Sequence, residues 1–133
     1  MTAPTGASDG KAEMKYMLMM FGDAATMTQT RSPEWIREMI AFMTQFDADL
    51  RESGELVYDE GLADGSTAKI VGLEGGVPVA RDGQIAGDGP SLIGVWVVDV
   101  ASEARAIEIA SRVVAFIEAP VEVRPVPAGP PEI

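Results

Sequence analysis

The 133-residue chain contains no cysteine and no histidine, and each absence removes a class of chemistry. Without cysteine there is no disulfide framework, no thiolate nucleophile and no cysteine metal site. Without histidine the usual near-neutral proton shuttle and the commonest metal ligand are both missing. Acid–base work would fall to Asp, Glu, Tyr or Lys. A metal would meet only hard carboxylate and carbonyl oxygens, which suit Ca²⁺ or Mg²⁺ rather than Zn²⁺. No loop has the acidic spacing of a dedicated calcium site, so no tightly bound metal and no cofactor are expected. Basic residues are also scarce. Ten Lys and Arg against 21 Asp and Glu leave a formal charge of −11, which argues against nucleic acid as a partner. No apolar run approaches the length needed to span a membrane. The N-terminus through Glu13 is small and polar, without the apolar centre of a secretory signal, so the cytoplasm is the expected location. No glycine-rich phosphate loop or nucleophile–base signature is present, and no catalytic residue is assigned.

What the chain does have is length and apolar content, 47% of residues, sufficient for one domain with its own core. Residues 1–14 read as a flexible tail, 15–126 as an α+β domain and 127–133 as a proline-rich tail. Lys15 to Phe21 is a short apolar strand closed by Gly22-Asp23. Ser32-Pro33-Glu34 starts a helix: serine N-cap, proline at the first helical position, acid in the first turn. Ile36, Met39, Ile40, Met43, Phe46 and Leu50 form its apolar stripe, and Gly54 sits where a C-terminal cap belongs. Leu56 to Leu62 and Ala68 to Leu73 read as strands. Gly75-Gly76 and Asp82-Gly83 bracket a weak pair, Val77 to Ala80 with Gln84 to Ala86. Asp88-Gly89-Pro90 turns the chain into the long strand Leu92 to Val100; Ser102 caps a helix over 103–117, and Val121 to Val126 is the last strand. The order β-α-β-β-(hairpin)-β-α-β predicts a ferredoxin-like antiparallel sheet with both helices on one face. Either parity of Leu92 to Val100 leaves aliphatic side chains on the open face, so a homodimer packed sheet to sheet is expected.

Several pieces in this order resemble the YCII-related family, in particular its DGPF-type branch. They are Lys15-Tyr16-Met17-Leu18, Gly22-Asp23, Ser32-Pro33-Glu34, the run from Leu50 through Gly54 to Leu56, Glu60-Gly61-Leu62, Asp88-Gly89-Pro90, Gly94 to Val100, and Val121 to Val126. The resemblance covers roughly residues 15 to 126 and implies a ferredoxin-like fold in dimers of the α/β-barrel type. It also implies a dyad of a histidine on the first helix and an aspartate, as in enzyme-like members. Counted back from Gly54, that histidine position falls near Met43, and with no histidine the dyad does not carry over. Ser91 stands where the branch has phenylalanine after Asp-Gly-Pro, and the acidic-lysine segment that usually follows is missing.

Five residues are nominated as ligand-binding in the cleft of the dimer: Tyr16, Asp59, Asp88, Trp96 and Arg124. Each has a plainer reading beside it. Asp88 before glycine ordinarily fixes its own turn. Asp59 and Glu60, adjacent in a strand, point to opposite faces, so they form no carboxylate pair, and a solvated strand end accounts for both. Trp96 ordinarily packs a core, although Gly94 two residues earlier leaves room for a ring or ligand. Glu122 and Arg124 share a face, where Arg124 either receives a carboxylate or phosphate or is half of an ion pair. Tyr16 and Tyr58 could donate hydrogen bonds into a pocket. Two functional classes follow: a non-catalytic dimeric module binding a small molecule or a partner, and a lyase- or isomerase-like enzyme on a small aromatic or carboxylated substrate. The enzyme would use a carboxylate base whose pKa rises in an apolar cleft.

Overall fold

A computed structural model describes residues 14–131 of the chain. The expected N-terminal tail lies outside the described residues, apart from Met14, which already belongs to the first strand. The elements are β1 (Met14–Gly22), α1 (Ala24–Thr30), α2 (Pro33–Glu52), β2 (Leu56–Gly61), β3 (Lys69–Glu74), β4 (Val77–Asp82), β5 (Ser91–Val100), α3 (Glu103–Ile117) and β6 (Val121–Val126). Four strands form an antiparallel sheet in the order β2-β5-β1-β6, and β3 with β4 make a separate two-stranded sheet. This mixed α+β arrangement, with one antiparallel sheet and three helices, is compatible with a ferredoxin-like fold. Among the described residues no helix is long and apolar enough to cross a membrane.

The sequence builds α2 with both ends signed. The Ser32 hydroxyl accepts from Trp35 N at 3.0 Å, satisfying one orphan donor of the first turn. At the other end Gly54 takes φ 79°. Its N–H donates to Arg51 O, and the Glu55 N–H donates to Leu50 O, the paired bonds of a Schellman cap. The buried stripe differs from the expected one. Ile40 is 57% exposed, and Phe46 and Leu50 are buried, with Trp35, Met39, Phe42 and Met43 packed against the core. An aromatic cluster causes the rotation: Trp35 and Phe42 both meet Phe116 of α3 edge to face, at 5.8 and 4.8 Å between centroids. Phe46 in turn meets Trp96 of β5 edge to face at 5.6 Å.

The helices α2 and α3 cover one face of the sheet. That face carries Tyr16, Leu18 and Met20 from β1 and Trp96, Val98 and Val100 from β5, buried against Phe46, Leu50, Ile109 and Val113. The opposite face carries Met17 and Met19 beside Val95 and Val97, all only half-buried in the single chain. Two differences from the sequence reading have local causes. A short helix, α1, was not expected; Asp23 starts it by accepting from Thr26 N at 3.0 Å and from the Thr26 hydroxyl at 2.8 Å. The hairpin pairs β3 with β4, since Gly75 and Gly76 both adopt positive φ and form the two-residue turn. Gln84 to Ala86 is therefore no strand. The Gln84 side chain instead donates to Gly87 O and Gly89 O and accepts from the Ser91 hydroxyl, folding the loop back on itself.

Candidate functional site

A cavity of about 230 Å³ opens between α2 and the β2–β5 edge of the sheet. Its walls are apolar: Met20 from β1, Met39 and Met43 from α2, and Ile93, Gly94 and Trp96 from β5. Two carboxylates enter it from different elements, Asp47 from α2 and Asp59 from β2. Met39, Met43 and Asp47 follow one another at four-residue spacing, so they form a line along one side of the helix. Asp59 arrives by an irregularity. Leu56 pairs with Val98 and Tyr58 with Val97, which leaves Val57 as an extra residue, a β-bulge. Downstream of the bulge Asp59 stands opposite Trp96 and faces the helices, while Tyr58 and Glu60 face the other way. Strict alternation from the inward Leu56 would have turned Asp59 out.

The two carboxylates interact. Hydrogen bonding to the Asp47 carboxyl raises the Asp59 pKa to about 6, with burial and the like charge of Asp47 adding to the rise; the positive charge of Arg51 opposes it with the smallest effect. Trp96 Nε1 donates to Asp47 Oδ1 at 3.1 Å. The indole N–H thus fixes the Asp47 carboxyl beside Asp59, the group whose pKa is raised. Such a pair can hold or release one proton near neutral pH at the wall of an apolar cavity. Among the described residues no group of three or more carboxylates is placed to hold a metal ion.

The structure brings two of the five nominated residues together. Asp59 and Trp96 meet at this cavity, and Gly94 lines it beside them. Tyr16 is buried in the core, opposite Val98 and Pro125. Asp88 is exposed in a separate polar cleft with Asp23, Asp64, Gln84 and Ser91. The turn around Asp88 is held by Gln84 and by the backbone bonds Gly87 N to Gln84 O and Gly89 N to Ala86 O. Arg124 lies on the open sheet face with Glu122, since Val121 and Val123 pack toward the helices, and the two charges form an exposed ion pair along the strand. Sequence reasoning nominated neither Asp47 nor Met20 and Met39, and reached Met43 only as the position of the absent histidine. The available signal was the acid standing next in the Met39–Met43 line, where an amphipathic helix would be expected to place another apolar residue.

A family model described as the YCII-related domain matches residues 14–127 of the chain. No curated protein matches it.

Proposed function

We propose that this chain, which belongs to the YCII-related family, binds a small, largely apolar molecule in the cavity under α2 and moves a proton on it through Asp59. The observation that carries this reading is the Asp47–Asp59 pair, with Asp59 raised to about 6 at an apolar wall. A general acid or base works best when its pKa lies near the working pH, and a positioned one accelerates proton transfer by roughly 10²–10⁴. The class of reaction is a lyase or isomerase step on a small organic substrate. Asp59 accepts or returns the proton, and Asp47, fixed by Trp96, positions it. A purely binding role is the second reading, favoured by the absence of histidine and cysteine from the chain. Titration of the side-chain carboxyl carbons by NMR tests the proposal. Asp59 should titrate near pH 6 in the wild type and fall back toward 3.8 in Asp47→Asn. An Asp59 that titrates together with the exposed carboxylates would remove the basis for proton transfer.

The same reading includes a second copy of the chain over the open sheet face, giving a dimer of the α/β-barrel type. Met17, Met19, Val95 and Val97 on that face support it, being apolar and without a covering layer among the described residues. Asp99, on the same face, has a buried Oδ1 with no hydrogen-bond partner among the described residues, and a donor from a second copy would satisfy it. Assignment to the DGPF-type branch is supported by Asp88-Gly89-Pro90 directly before β5.

A further inference from the structure

We propose that the molecule taken by this cavity carries a protonated amine on a short apolar body, with the ammonium seated on Asp47 and Asp59. The inference rests on the cavity being the binding site and adds the charge and shape of its occupant.

Two acids face into the cavity, Asp47 and Asp59, while Glu60 borders it but is turned the other way, and among the described residues no lysine or arginine lines it. Arg51, on α2, acts on Asp59 in the opposing sense, and its effect is the smallest of those present. Two carboxylates facing one small space repel each other when both are ionised, and a positive charge between them relieves that repulsion. In the empty site a proton supplies that charge only below about pH 6. An ammonium supplies it with three N–H donors, which reach both carboxylates and leave Asp47 Oδ1 still accepting from Trp96. An anionic ligand would meet like charge from both carboxylates, and a neutral one would leave their mutual repulsion in place.

The remaining walls agree with an organic cation rather than a hydrated metal ion. Met20, Met39 and Met43 offer polarisable thioethers, and Trp96 offers the indole edge, surfaces that suit the apolar body next to a charged group. The volume limits that body. At about 230 Å³ the cavity falls below the roughly 300 Å³ at which pockets for drug-sized ligands begin. A net charge of −11 favours the approach of cations over anions.

Three matched probes separate the possibilities: phenethylamine, phenethyl alcohol and phenylacetate. Each is titrated into the full chain at pH 7.5 while the Trp96 indole and methionine methyl signals are followed by NMR. The amine should saturate those signals at least tenfold more tightly than the alcohol or the acid. Its affinity should drop by about tenfold at pH 5, as Asp59 takes up its proton. Asp59→Asn should abolish the preference for the amine, and Asp47→Asn, which keeps an acceptor for the Trp96 N–H, is the second variant. Equal binding of the alcohol or acid, no saturable binding of the amine, or undiminished amine binding in both variants would overturn the inference. The carboxyl titration reports separately on proton transfer. Asp59 titrating near 6 without amine binding removes only the ligand class, whereas amine binding with an ordinary Asp59 removes only the proton-transfer role.

Discussion

Replacing Asp59 by asparagine should stabilise the fold at pH 8 and have little effect at pH 4. The folded pKa of about 6 stands above the ordinary 3.8. Between those values the folded chain binds more protons at this site than the unfolded chain does. Stability from Asp59 therefore rises as pH falls through the window, and the penalty for ionising Asp59 is complete above about pH 6. At 1.36 kcal/mol per pKa unit the span corresponds to about 3 kcal/mol. Asp59 is only half-buried, so screening by solvent reduces the expected gain to about 1–2 kcal/mol. The asparagine keeps nearly the same shape, and the bond from Trp96 Nε1 to Asp47 is retained because neither partner changes. For a chain of this length the gain equals about 4–7 °C in Tm. Thermal melts of both proteins at pH 8 and pH 4 measure it. A variant less stable than wild type at pH 8, or an equal difference at the two pH values, would refute the carboxylate-pair reasoning.

Three further outcomes are expected. Val97→Glu, on the open sheet face, should convert a dimer to a 14.1 kDa monomer by light scattering without loss of helix content; a wild type that is already monomeric at micromolar concentration would contradict the second copy. Glu118 ends α3 in the left-handed region at φ 64°, which costs a side-chain-bearing residue about 1–2 kcal/mol. Allowing for the extra chain entropy of glycine, Glu118→Gly should raise stability by about 0.5–1 kcal/mol in urea denaturation, and Glu118→Ala should not. Arg124→Ala should change stability by less than about 1 kcal/mol, since its pair with Glu122 is exposed in the single chain and lies on the edge strand β6, at the margin of the proposed dimer face; a fall in Tm of many degrees would place the pair inside that interface instead.

Much of the fold was legible because its signals are local. Ser32-Pro33, Gly54 and Ser102 mark helix ends by satisfying orphan backbone groups, and those bonds form within a few residues of the signal. Helix α1 was hidden because Asp23 after Gly22 serves equally as a turn residue and as an N-cap. The hairpin register was misread because Gly75-Gly76 and Asp82-Gly83 are both credible turns, and only pairing across the strands decides between them. The site was legible in half. Asp59 and Trp96 were identifiable by residue type, yet the partner that raises the Asp59 pKa comes from α2, twelve positions earlier. Parity within β6 correctly put Glu122 and Arg124 on one face. No parity rule within a single strand could show that Trp96 faces the other side of the sheet from Arg124.

The bulge at Val57 makes the chemistry of the cavity a matter of phase. A substitution in β2 edits one side chain, but a change of length or pairing edits which set of side chains looks inward. Deleting Val57 would give a regular strand with Leu56 and Asp59 still in step with Val98 and Trp96. Ironing out the bulge without deleting a residue would send Asp59 to the opposite side and bring Tyr58 in, exchanging a carboxylic acid for a phenol. Chains built on this strand can thus acquire or lose an inward proton-carrying group through a change of pairing alone, with every side chain of the helix above left as it is.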